Sequence, residues 1–111
     1  MTTVLVVDDS EPLGRLVTQT LERAGHRSAW APSGTDALAQ AARERPDVVF
    51  IDLHLADMRG TELATTLRAS YPAARLVGVS GEVPPNAERD QFDAFLLKPV
   101  ALSTILDELH T

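Results

Sequence analysis

The sequence predicts an α/β fold: five strands alternating with helices in a (βα)5 unit with a doubly wound parallel sheet. Three observations carry this. Short apolar runs recur at Val4–Val7, Val48–Ile51, Leu76–Val79 and Phe95–Leu97, each of strand length, as expected of strands covered on both faces. Between them, apolar residues fall at the three- and four-residue spacings of a helix with one buried face. The connections are also long enough for right-handed crossovers between parallel strands.

After the first strand, Val4–Val7, the polar stretch Asp8-Asp9-Ser10-Glu11-Pro12 opens the first helix. Ser10 or Asp9 serves as its cap, and Pro12 sits where proline is tolerated, in the first turn. Its stripe is Leu13, Leu16, Val17, Thr20, Leu21 and Ala24, and Gly25 is a natural stop. Ser28–Ala31 is short and small, which suits an edge strand. Ser33 with Asp36 resembles a capping box, with Asp in place of Glu; the second helix runs through Ala37, Leu38, Ala41 and Ala42, and Pro46 closes it. Val48–Ile51 is the most apolar strand and therefore the expected centre of the sheet. Leu63, Ala64 and Leu67 mark the third helix, and Leu76–Val79 delivers Ser80 and Gly81 at its end. Pro84-Pro85 leaves room for at most a short fourth helix between Asn86 and Phe92. Leu102, Ile105, Leu106 and Leu109 form the last stripe.

Composition narrows the possible functions. A chain of 111 residues is the size of one ordinary domain, and no linker or low-complexity tract divides it. With no cysteine, a disulfide scaffold, a thiol nucleophile and a cysteine-ligated metal are excluded, in agreement with a reducing compartment. Ten basic against sixteen acidic residues give a formal charge of -6, which argues against non-specific nucleic-acid binding. No apolar run approaches the roughly 18 residues of a membrane span, and no signal-peptide pattern precedes the first strand. The expectation is a cytoplasmic domain with no membrane contact of its own.

In an open parallel sheet, ligands sit beyond the carboxyl ends of the strands. Here those ends carry Asp8 and Asp9, then Asp52, Ser80 and Lys98. Crowded carboxylates repel, and one is forced to take up a proton unless a cation is shared. An all-oxygen set suits Mg²⁺, which binds through one or two carboxylates plus phosphate and water. Lys98 adds a point charge for an anion and Ser80 a hydroxyl donor. Asp52 is then placed as a nucleophile toward phosphorus, giving an acyl phosphate.

In Val7-Asp8-Asp9, Ile51-Asp52-Leu53, Ser80-Gly81 and Leu97-Lys98-Pro99, the chain resembles the receiver domain of the two-component response regulator family. Such domains also occur attached to hybrid histidine kinases. The resemblance runs from Val4 to Leu109, and the motifs are specific in combination rather than singly. It implies a flavodoxin-like sheet of strand order 2-1-3-4-5 and a receiver domain over residues 1–111, stand-alone or part of a larger protein. By the same resemblance Asp52 accepts a phosphoryl group from a histidine kinase or phosphotransfer protein. Asp8 and Asp9 would hold Mg²⁺ (or Mn²⁺) with Asp52 and the backbone carbonyl of His54. Ser80 would turn toward the phosphoryl group and Lys98 would pair with it; the domain's catalysis would be mainly its own phosphoryl transfer and autodephosphorylation, with histidine kinase activity only if it is part of a hybrid kinase. Phe95 matches the family's switch aromatic, and the Lys98–Pro99 bond is expected to be cis. His54, Gly81 and Glu82 match positions that tune phosphoryl lifetime and access. The signal would leave by the surface of helix four, strand five and helix five, toward a downstream effector or a second copy in a homodimer.

Two departures from the family pattern stand out. Ala56 replaces the usual Pro in the loop after Asp52, and the interval from Ser80 to Lys98 is short by about four residues, roughly one helical turn. Singly, the residues have plainer readings: Asp8 and Asp9 as acids near a helix dipole, Ser80 as a loop serine, Lys98 as a solvated lysine, Phe95 as core, Trp30 as packing. His26, His54 and His110 show no metal spacing. Two rival functions remain, a receiver fold acting by interaction without phosphorylation and a small aspartyl-phosphate phosphatase. The phosphatase pattern carries a second Asp two residues after its nucleophile, where this chain has His54.

Overall fold

The computed structural model describes residues 2–110; Met1 and Thr111, the ends of the expected 1–111 domain, lie outside them. The element order is β1 (Thr3–Val7), α1 (Glu11–Arg23), β2 (Arg27–Ala31), α2 (Gly34–Arg43), β3 (Val48–Asp52), α3 (Gly60–Ser70), β4 (Arg75–Ser80), α4 (Asn86–Arg89), β5 (Ala94–Leu97) and α5 (Leu102–Asp107), with a closing 3-10 turn at Glu108–His110. The strands form one sheet ordered β2-β1-β3-β4-β5. Every pairing is parallel.

Burial explains that order. β3, the most apolar strand, is buried at every residue and lies in the middle of the sheet. β2, small and half-polar, takes an edge. Because strand side chains alternate between faces, Val4 and Val6 of β1 pack with α1 and α5 on one side, beside Val17, Leu21, Phe50 and Ile105. Leu5 and Val7 pack on the other side with Ala37, Ala41, Leu63 and Leu67 of α2 and α3. Each fully buried leucine there stabilises the fold by about 1.5–3 kcal/mol relative to exposure.

The helix caps follow the sequence closely in places. Ser33 accepts from the Asp36 N–H at 3.1 Å and donates its hydroxyl to the Asp36 carboxylate at 3.0 Å, a side-chain variant of the capping box. Ser10, not Asp9, caps α1. The apolar stripes are narrower than their periodicity implies. In α1, Val17 and Leu21 are buried but Leu13 and Leu16 remain 36% and 50% exposed. Of the last stripe only Ile105 is buried, and Ala42 of α2 faces solvent. For α1 and the last stripe the physical reason lies in α5, which is under two turns long and leaves a cavity of about 440 Å³ between itself and α1. The fourth helix is a single turn of four residues after Pro84-Pro85, as the short Ser80–Lys98 interval implies.

Candidate functional site

Parallel register brings the strand ends together. Val7 pairs with Ile51, Asp52 with Val79 and Ser80 with Leu97. The next residues along β1 and β5 are Asp8 and Lys98, so the chain must place them beside Asp52 at the carboxyl edge. The Lys98 ammonium donates to Asp8 Oδ2 at 3.1 Å and to Asp52 Oδ2 at 3.4 Å. The other carboxylate oxygens are held by backbone: Asp8 Oδ1 accepts from the Ser10 N–H at 2.9 Å and Asp52 Oδ1 from the His54 N–H at 3.0 Å. Both aspartates are almost fully buried, at 5% and 6% exposure, while Asp9 is open to solvent.

One oxygen from each of Asp8, Asp9 and Asp52 lies within 4.8 Å of the others. Three carboxylates against the single Lys98 ammonium leave net negative charge in a partly desolvated pocket, and a divalent cation is the hard, oxygen-seeking ion that offsets it. The residues present therefore fit such an ion. Burial works against the Lys98 charge, but the hydrogen bond to Asp8 and the charges of Asp52 and Asp8 outweigh it and hold its pKa above the ordinary lysine value.

The remaining site residues fall around this core. Ser80 is buried at 2% exposure, and its hydroxyl accepts from the Glu82 N–H at 3.3 Å. His54, Ser80 and Glu82 line one cavity of about 120 Å³ next to the acid pocket. Gly81 is exposed on the same turn and is not part of that lining. Phe95 is half-buried against the α2/α3 side of the core, with the Arg89 guanidinium 5.9 Å from its ring centroid. The Lys98–Pro99 peptide bond is cis.

Three contacts at the site have no signal in the sequence. The loop after Asp52 is pinned by Asp57, whose carboxylate takes the N–H groups of Gly34 and Thr35 at 2.9 Å each and the Thr35 hydroxyl at 2.8 Å. Those two N–H groups, at the start of α2, have no partner within the helix itself. The same bonds, from Gly34 first, lower the Asp57 pKa to about 2. Arg59 of this loop pairs with Glu88 of α4. The Trp30 indole N–H donates to the Asp8 carbonyl at 2.7 Å. One residue makes the loop's return possible: a Cβ on Gly60 would lie 2.7 Å from the Asp52 carbonyl oxygen and 2.8 Å from Leu53 Cα, so only glycine lets α3 start this close to β3.

A five-stranded doubly wound domain with an acid pocket and one lysine at its strand ends is the arrangement expected of a phosphoacceptor domain. The response regulator receiver domain model matches residues 4–110. The chain belongs to that family, and its function is that of a receiver, a phosphoacceptor domain built around an acidic cluster. Among its relatives is the probable transcriptional regulatory protein TcrX of Mycobacterium tuberculosis, 43% identical over 97% of this chain and 48% of that protein. Another is the sensory/regulatory protein RpfC of Xanthomonas campestris, 32% identical over 96% of this chain and 16% of that protein. The chain thus spans half or less of the length of these curated relatives. Among solved structures, chemotaxis protein CheY4 of Vibrio cholerae superposes with a TM-score of 0.92 at 31% identity, covering 99% of this chain and 97% of that one. A Burkholderia pseudomallei response regulator with a phosphorylated aspartic acid, a calcium ion and citrate gives 0.89 at 30% identity, covering 100% and 68%. No helix among the described residues is long and apolar enough to cross a membrane.

Proposed function

We propose that Asp52 is the phosphoacceptor, taking a phosphoryl group from the phosphohistidine of a histidine kinase or phosphotransfer protein. The observation that carries this is the Lys98 bridge: one ammonium between Asp8 and Asp52 at adjoining strand ends, with Asp9 at the rim. An Asp52 oxygen attacks phosphorus as the bond to the imidazole nitrogen breaks, leaving an acyl phosphate on Asp52 and a free imidazole on the donor. Backbone and lysine contacts hold the carboxylate in place before attack, so little reorganisation is needed. Lys98 then pairs with a phosphoryl oxygen, and Ser80 exchanges its bond from Glu82 for one donated to the new group.

Asp8, Asp9 and Asp52, with the His54 carbonyl, are the residues that would hold Mg²⁺ or Mn²⁺. Bound there, the cation supplies positive charge to the phosphoryl oxygens and relieves the carboxylate repulsion. His54 and Glu82, at the mouth of the small cavity, set how water reaches the acyl phosphate. Transfer of the Ser80 contact shifts the population of β4–α4 conformers, with Phe95 following, and carries the signal to the surface of α4, β5 and α5. Effectors or a second copy would read that surface.

The test is intact-mass measurement after incubation with Mg²⁺ and acetyl phosphate or phosphoramidate. Wild type gains one phosphoryl group, and Asp52→Asn gains none. No adduct on wild type would favour a receiver fold that acts by interaction alone, and multiple turnover on phosphate esters would favour a phosphatase.

A further inference from the structure

Trp30 is a half-buried residue near the end of an edge strand, where packing alone does not require an indole. Its ring does something specific. β2 pairs with β1 so that Val6 faces Trp30 and Val7 faces Ala31, which leaves Asp8 as the first residue beyond the ladder. Both main-chain groups of Asp8 are nonetheless tied back to β2: its N–H donates to the Ala31 carbonyl at 3.1 Å, and its carbonyl accepts the Trp30 indole N–H at 2.7 Å. The second distance is at the short end of the range for such bonds.

The neighbouring helix accommodates that ring. A Cβ on Gly14 would lie 2.3 Å from Trp30 Cδ1 and 2.5 Å from Nε1, so any larger residue would displace the indole. Glycine inside α1 is unfavourable for the helix itself. Its presence there is explained by the space the ring needs.

The tie matters because the next residue is Asp9. The Asp8 carbonyl belongs to the peptide joining Asp8 to Asp9, and the plane of that peptide sets the direction in which Asp9 leaves the chain. Among the described residues, the Asp9 carboxylate has no hydrogen-bond or ion-pair partner, and it is exposed. With no side-chain partner, its position within 4.8 Å of Asp8 and Asp52 oxygens depends on where the backbone points it and on its own rotamer. We propose that Trp30 is a positioning residue for the divalent cation, fixing the Asp8–Asp9 peptide so that the Asp9 carboxylate is preset toward the pocket. This rests on the reading that Asp8, Asp9 and Asp52 hold that cation. Without the indole bond the turn samples orientations that point Asp9 away, and the cation must select the competent fraction.

Calorimetric titration with MgCl₂ at a temperature well below melting tests it on the full chain. Trp30→Phe keeps an aromatic ring but removes the N–H donor together with part of the indole's area; its Mg²⁺ Kd should rise about fivefold, the equivalent of one hydrogen bond. Gly14→Ala keeps the indole but displaces it, and should weaken Mg²⁺ in the same direction. Because Trp30 is the only tryptophan, wild-type emission should change on adding Mg²⁺, and less so in Gly14→Ala. Leu76→Val, at the opposite end of β4, should lower the melting temperature without altering Kd. Wild type binding Mg²⁺ with both variants matching its Kd would overturn the positioning role alone. Failure of wild type to bind Mg²⁺ would overturn both that role and the metal reading.

Discussion

The acid pocket and the β4–α4–β5 segment sit next to each other at the same edge of the sheet and are built in opposite ways. In the pocket, Asp8 and Asp52 are buried at the ends of the two most enclosed strands, and each carboxylate is held on one side by a backbone N–H and on the other by Lys98. In the segment, Gly81 to Val83 is exposed and α4 is one turn with no buried residue. β4, Phe92 and Asp93 anchor the two ends of the segment, while α4 between them is held by partly exposed contacts, Arg59 on Glu88 and Arg89 over Phe95. Interactions of that kind are worth a fraction of a kcal/mol to about 1 kcal/mol in water. On the proposed reading, chemistry is housed where movement is costly, and the response around α4, where it costs less.

The largest effect expected from disturbing this contrast is in the pocket. Lys98→Met removes the counter-charge of two buried carboxylates. In metal-free buffer at neutral pH the variant should lose about 2 kcal/mol of stability, between the exposed and buried limits for breaking one side of an ion pair. Urea denaturation measures this, and Mg²⁺ should restore more stability to the variant than to wild type, because the cation then does the work of the ammonium.

The loop joining the two regions gives a pH signature. The Asp57 carboxyl has a folded pKa of about 2 against an ordinary 3.8. A depressed acid contributes its stabilisation fully above the unfolded value and loses it as pH falls through the folded one. The tie between this loop and α2 should therefore hold at pH 4 and fail only toward pH 2. A side-chain carboxyl NMR titration that places Asp57 with the ordinary carboxylates would sink this account of the loop. The smallest effect belongs to the segment: Arg59→Ala should cost under about 1 kcal/mol, leave the phosphoryl adduct intact, and raise amide exchange in α4.

Legibility in the sequence divides the same way. β1 and β3 announce themselves as unbroken apolar runs stopped by carboxylates, and parallel pairing then forces Asp8, Asp52 and Lys98 into one place. The shortness of α4 is written in Pro84-Pro85 and in the distance from Ser80 to Lys98. The Trp30 bond to Asp8, the Asp57 clamp on α2 and the Arg59–Glu88 pair were not readable. Each joins residues separated by about 20 to 30 positions (22, 22–23 and 29) across elements whose relative placement no local pattern encodes. The exposure of Leu13 and Leu16 was hidden for a related reason. Periodicity shows which residues share a stripe, whereas the neighbour's length decides how much of the stripe is covered, and α5 is short.

The most direct test of a fixed site beside a movable relay is hydrogen exchange on the phosphorylated protein in Mg²⁺, compared with unphosphorylated wild type and with Asp52→Asn treated identically. Protection changes should concentrate between Glu82 and Val100, β1 and β3 amides should keep their rates, and Asp52→Asn should show no change. A protein that carries the phosphoryl group yet exchanges identically across residues 82–100, or changes chiefly in β1 and β3, would contradict this division of labour.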